Sequence, residues 1–129
     1  MRTLLTHPYV LVFAGGGAGS LARYLAGRFI ASTLLGFPFP TAILIVNIVA
    51  SAILGAVVGW GLVRTTGEEA RLLIGVGFCG GLSTFSSFSF DTVVLLQNGR
   101  TGVALLNIML NVILCLLASM GGLLIGQKL

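Results

Sequence analysis

The chain of 129 residues is 57% hydrophobic and only 8% charged, against roughly 25% charged in soluble domains, so a water-soluble globular protein is excluded. Its net charge of +4 comes from seven Lys and Arg scattered without a run, which argues against a nucleic-acid surface and leaves those charges a topological use. The 19 glycines suit helices that pack backbone to backbone in lipid, and a single domain accounts for the length.

After a short polar lead through Thr6, Pro8 is placed to open a first helix, and the apolar pattern runs on to about Thr33. A cleaved signal peptide is the competing reading, with Arg2 as its charged start and Gly15 to Gly19 near a cleavage site. The pattern continues past that point to a spanning length of ~20 residues or more, so the helix is expected to stay in the mature protein. Gly15 and Gly19 form a small-xxx-small pair that allows a close helix crossing, and the spacing recurs at Gly55 and Gly59, Gly77 and Gly81, and Gly122 and Gly126. His7 stands alone near the start and reads as a surface residue. The stretch LGFPFP at residues 35–40 breaks helix and strand alike, and Pro40 starts a second helix over Thr41 to about Val63. Asn47 is the strongly polar residue inside that helix. Taken alone it reads as an interhelical hydrogen bond, worth about 0.6 to 2 kcal/mol in a membrane.

The loop RTTGEE at residues 64–69, with Thr66 or Gly67 as cap, leads into a third helix expected over residues 69–97. Its centre is wrong for a helix. Gly80 and Gly81 each weaken it by about 1 kcal/mol against Ala, and the hydroxyls of Ser83, Thr84, Ser86, Ser87 and Ser89 compete for backbone hydrogen bonds. The expectation is a break between Gly80 and Ser83 in mid-membrane, where irregular backbone persists only if it is buried in protein or lines a polar cavity. Such a break frees carbonyls, which suit a small hard cation such as sodium, and amides at the start of the second half. Phe85 and Phe88 share one helix face and can turn electropositive ring edges toward an anion. Gly75, Gly77 and Gly80 also satisfy the dinucleotide-binding spacing, but no strand precedes them, so the match is chance. Asp91 falls toward the polar end of this helix, and vestibule and capping roles both stay open. Asn98-Gly99 makes the next turn. A fourth helix then spans about Thr101 to Gln127 and carries Asn107 and Asn111 on one face, with Cys115 a turn further on. Asparagines in a membrane helix are unfavourable unless paired, so both are expected to face helices or water. Cys79 and Cys115 lack metal-ligand spacing and read as small packing residues.

The segment GFCGGLSTFSSFS closely resembles the third-helix motif of the small bacterial fluoride channels, the Fluc or CrcB family. A Gly-rich first helix with a late arginine (GGGAGSLARY), a second helix beginning Pro-Thr with a central asparagine (PTAILIVNIVAS), and a fourth helix of similar length extend the resemblance over the chain. The resemblance implies an all-α, four-helix, multi-pass protein of the bacterial inner (cell) membrane, assembled as an antiparallel homodimer with two fluoride pores. In such a protein toxic cytoplasmic fluoride leaves the cell passively. It also implies a central structural sodium on the main-chain carbonyls of Gly80 and Ser83. It turns Asn47 from a packing residue into a pore donor and puts Phe85, Phe88 and Ser87 beside it. Arg23 is similar to the arginine these channels carry at the pore mouth, a snorkelling role near the interface being the alternative. At Asn107 and Asn111 the sequence departs from relatives that place a Tyr or a Ser there. A carboxamide can fill the same role, and which one reaches the ion stays open.

If the first residue is cytoplasmic, Arg2, Arg64, Arg71 and Lys128 fall on one side of the membrane and Arg23, Arg28 and Arg100 on the other. Four against three gives almost no orientation bias, as insertion in both directions requires. The rival function is a proton-coupled small multidrug transporter, which needs an ionisable carboxylate in the membrane. Helices one and two contain no Asp or Glu. An enzyme is disfavoured because no nucleophile, base and orienting acid converge.

Overall fold

The computed structural model describes residues 4–34, 39–64 and 67–129. Arg2, Thr66 and most of the LGFPFP turn therefore lie outside the described residues. After a 3-10 turn at Leu4–Thr6, helix α1 runs Pro8–Thr33 with Pro8 in its first turn and α2 runs Thr41–Val63, directly after Pro40. Helix α3 occupies residues 68–82. It opens with Glu68–Ala70 behind Gly67, widens to π-type winding over Arg71–Cys79, and closes with Gly80–Leu82. Helix α4 is Phe85–Gln97 and α5 is Thr101–Gly126. No strand occurs among the described residues.

The turn between α4 and α5 follows from one glycine. Gly99 has φ 71°, in the left-handed region open to glycine at little strain. With it in place, the Gly99 N–H donates to the Leu96 carbonyl and the Arg100 N–H to the Leu95 carbonyl, the paired pattern that closes a helix C-terminus.

The recurring glycine pairs decide which helices meet. A Cβ on Gly77 would sit 2.9 Å from Gly15 Cα, and one on Gly81 2.9 Å from Ser20 N, so α1 and α3 cross with Gly15 and Gly19 against Gly77 and Gly81. Likewise a Cβ on Gly55 would sit 3.0 Å from Leu123 N, and one on Gly126 2.8 Å from Trp60 N, which locks α2 against α5. In both crossings residue numbers rise together along the two helices, so each pair is parallel. Between the pairs lies a thin core of Val46, Ala50, Cys79 and Leu82. Most large apolar side chains point outward instead, Phe13 at 84% exposure and Phe29 at 71% among them.

Because a backbone carbonyl cannot move aside as a side chain can, Gly122→Ala is expected to destabilise by about 1 to 3 kcal/mol, the usual penalty of overpacking. That outcome opposes helix propensity, which favours Ala over Gly by about 1 kcal/mol. A Cβ on Gly121 meets nothing within 4 Å, so Gly121→Ala should be neutral or slightly stabilising. Thermal unfolding of the two variants in detergent separates packing from propensity, and equal midpoints would refute the crossing.

Three stretches, Thr41–Val63, Glu68–Gln97 and Thr101–Gly126, are long and apolar enough to cross a membrane. Helix α1, with Arg23, Arg28 and its glycine-rich middle, is not among them. The architecture is all-helical and of multi-pass membrane type.

The interruption falls at the late end of the expected stretch from Gly80 to Ser83 and runs one residue past it. Gly80 is helical (φ −64°, ψ −35°), and the extended residues are Ser83 (φ −76°, ψ 155°) and Thr84 (φ −152°, ψ 119°). Gly81 is needed for its missing side chain at the α1 crossing rather than for backbone freedom, which is why helix continues through it.

Candidate functional site

The hydrogen bonds around Ser83 and Thr84 account for the interruption there. The Ser83 N–H still donates to the Cys79 carbonyl at 2.9 Å, and the Ser83 hydroxyl adds a second bond to that carbonyl, also 2.9 Å. One residue on, the Thr84 N–H leaves the helical ladder and donates to Asn47 Oδ1 at 2.9 Å. A new helix starts at once, because the Thr84 Oγ1 accepts from the Ser87 N–H at 3.2 Å and so caps α4. The residue-84 threonine was named in the sequence only as a hydroxyl. Its spacing of three from Ser87 is the signal that identifies it as a cap.

Asn47, on α2, grips the interruption from the side. Besides accepting from Thr84, its Nδ2 donates to the Thr84 carbonyl at 3.4 Å and to Asn111 Oδ1 at 3.1 Å. The chain of amides continues along α5, where Asn111 Nδ2 donates to the carbonyl and to the Oδ1 of Asn107, each at 3.0 Å. Asn107 Nδ2 then donates to Thr92 Oγ1 at 3.0 Å, and the Thr92 hydroxyl donates to the Phe88 carbonyl at 2.8 Å. Asn107 and Asn111 are 1% and 6% exposed. Asparagines so deeply buried would be strongly destabilising unpaired, and this ladder pairs them. Among the described residues no buried side-chain polar atom lacks a partner.

A cavity of about 250 Å³ opens beside the ladder, lined by Asn47, Asn111, Ser51, Ser83, Thr84, Phe85, Phe88, Val112 and Cys115. None of these side chains is charged. The Phe85 and Phe88 rings stand 5.5 Å apart between centroids and are tilted by 50°, with Phe85 left 80% exposed. The structure thus brings Asn47, Asn111, Phe85 and Phe88 together on one surface. Ser87 does not join them. It bonds Thr84 and lines a neighbouring hollow of about 460 Å³ with Ile43, Ser86, Phe90 and Asp91. Asn107 also stays off the cavity wall, behind Asn111. Both cysteines are free thiols, Cys79 buried as expected and Cys115 on the cavity wall rather than in a packed core.

Arg23 turns inward from α1, and its Nη1 donates to the Ser83 carbonyl at 3.3 Å. That bond bears on the cation expected here. With the Thr84 N–H given to Asn47, the Gly80 carbonyl is released from its helical partner, and a Cβ on Gly80 would meet nothing within 4 Å. The Ser83 carbonyl keeps a second lone pair beyond its long bond to Arg23. Among the described residues no group of three or more His, Cys, Asp or Glu is arranged to hold a metal. The donor set is therefore two main-chain oxygens, the ligand type that a hard cation takes.

Residues 10–123 match the family model described as CrcB-like protein, Camphor Resistance (CrcB). Over 107 residues the chain is 43% identical to a protein of Shewanella frigidimarina named fluoride-specific ion channel FluC, covering 83% of this chain and 86% of that one. A protein of the same name from Pyrococcus furiosus is 46% identical over 107 residues, 80% of this chain and 82% of that one. A third, from Coxiella burnetii, is 42% identical over 122 residues, 93% and 98% of the two chains. These relatives are named as ion channels, which is not an enzymatic function. With matches over most of its length, the chain belongs to the CrcB family.

Proposed function

We propose that this chain is a fluoride-selective channel of the cell membrane that lets fluoride leave passively. The single observation that carries the reading is the uncharged cavity at the helix interruption, walled by carboxamides, hydroxyls and the Phe85–Phe88 ring pair. An anion stripped of water needs donors close by and no carboxylate facing it. Phenyl edges and the carboxamide dipoles supply partial positive charge without binding so tightly that the ion cannot leave. Arg23, 3.3 Å from the Ser83 carbonyl, contributes fixed positive charge close to the interruption. The names of the FluC relatives support the choice of fluoride.

The working unit in this reading is an antiparallel homodimer with two pores, each chain contributing four membrane spans. A cavity that leaves Phe85 mostly exposed is open on one side, and a second copy would close it. When bound between two copies, sodium on the Gly80 and Ser83 carbonyls would supply positive charge that lowers the barrier to a nearby anion. The chain's own part is to hold those carbonyls in place through the Thr84 to Asn47 bond.

The test is ion efflux from liposomes containing the purified protein alone. Fluoride efflux is expected to exceed chloride efflux by orders of magnitude. Removing sodium with a large organic cation as replacement should abolish it, and protease should reach each terminus from both sides of the vesicle. Equal efflux of both halides would sink the selectivity, sodium independence the cation, and one-sided cleavage the antiparallel dimer.

A further inference from the structure

We propose that Thr92 is a positioning residue for the ion path, fixing through Asn107 the direction in which the cavity-lining amide of Asn111 points. The inference deepens the channel reading and rests on it. Thr92 is 7% exposed and lines neither cavity, so it has no contact of its own with a passing ion.

The argument lies in the polarity of the ladder. A carboxamide can be turned end for end with little change of shape, so a row of three keeps one sense only where backbone groups pin it, as the Asn107 carbonyl does for Asn111 Nδ2 within the row. One end is pinned by the Thr84 N–H, which can only donate and therefore holds Asn47 Oδ1 toward itself. The other is pinned by the Phe88 carbonyl, which can only accept. It takes the Thr92 hydroxyl proton at 2.8 Å and leaves the Thr92 oxygen lone pairs for Asn107 Nδ2. Between these two backbone groups every bond runs in one sense, from Asn47 through Asn111 and Asn107 to Thr92.

Without the Thr92 hydroxyl, the Nδ2 of Asn107, a residue only 1% exposed, loses its acceptor. Rotating the amide to satisfy it turns donor against donor at Asn111, which loses its side-chain acceptor and is then held by the Asn107 carbonyl alone.

Thr92→Val keeps the shape and removes the hydroxyl. In liposomes of the folded dimer it is expected to lower fluoride efflux about tenfold, the factor carried by one hydrogen bond of ordinary strength, and to lower the fluoride-to-chloride ratio. Thr92→Ser should restore both. In a double-mutant cycle with Asn107→Leu the two effects should not multiply, since Thr92 acts through Asn107. The side-chain NH₂ resonances of Asn111 should shift in Thr92→Val but not in Thr92→Ser. That last readout needs no flux, so a shift in a protein that conducts no fluoride would keep the ladder and reject the channel. Should Thr92→Val fail to fold, Thr92→Cys, with a weak donor, should give intermediate flux and ratio. Wild-type flux and ratio in a folded valine or cysteine variant, or multiplicative effects in the cycle, would overturn the proposal.

Discussion

Asn47→Asp is expected to bring fluoride efflux down about a thousandfold while leaving the helix interruption in place. The carboxylate keeps an acceptor for the Thr84 N–H, so the backbone at residues 83 and 84 has no reason to rewind. What it loses are the two donor bonds, to the Thr84 carbonyl and to Asn111 Oδ1. What it gains is a negative charge on the cavity wall. Two like charges ~4 Å apart at an effective dielectric constant of ~20 repel by about 4 kcal/mol, or about a thousandfold in rate. Fluoride-electrode recordings of liposome efflux, with size-exclusion chromatography to establish an elution volume unchanged from wild type, check the result. Flux within tenfold of wild type would remove Asn47 from the ion path and return it to a purely structural role.

Phe85→Ile and Phe88→Ile are each expected to lower fluoride efflux by about tenfold, and the double substitution further still. Isoleucine retains apolar bulk but has no ring quadrupole, whose contribution beyond buried area is about 0.5 to 1.5 kcal/mol. The rings are 5.5 Å apart and share one cavity, so their effects are expected to couple rather than simply multiply. Stability should fall less at Phe85, which is 80% exposed in one chain, than at the half-buried Phe88. Wild-type flux in both single variants would take the rings out of the mechanism.

The sequence by itself determined the all-helical membrane architecture. Long apolar stretches, punctuated by Pro8, Pro40, Gly67 and Asn98-Gly99, leave the backbone only one way to satisfy its polar groups in lipid. The four glycine pairs were equally legible, because a spacing of four puts both residues on one face of a helix. Which pair meets which was not legible, since any small face can receive any other. Only the tertiary structure matched Gly15 and Gly19 with Gly77 and Gly81, and Gly55 and Gly59 with Gly122 and Gly126. The same matching moved the interruption. Local propensity spread it over Gly80 to Ser83, whereas packing against α1 keeps Gly81 helical and Asn47, 37 residues away in sequence, draws off the Thr84 N–H. The polar residues of α5 were visible as a face needing partners, but a side-chain ladder depends on which helices lie beside it. The bond from Asn107 to Thr92 exists because α4 turns back at Gly99 and lays its buried threonine against α5.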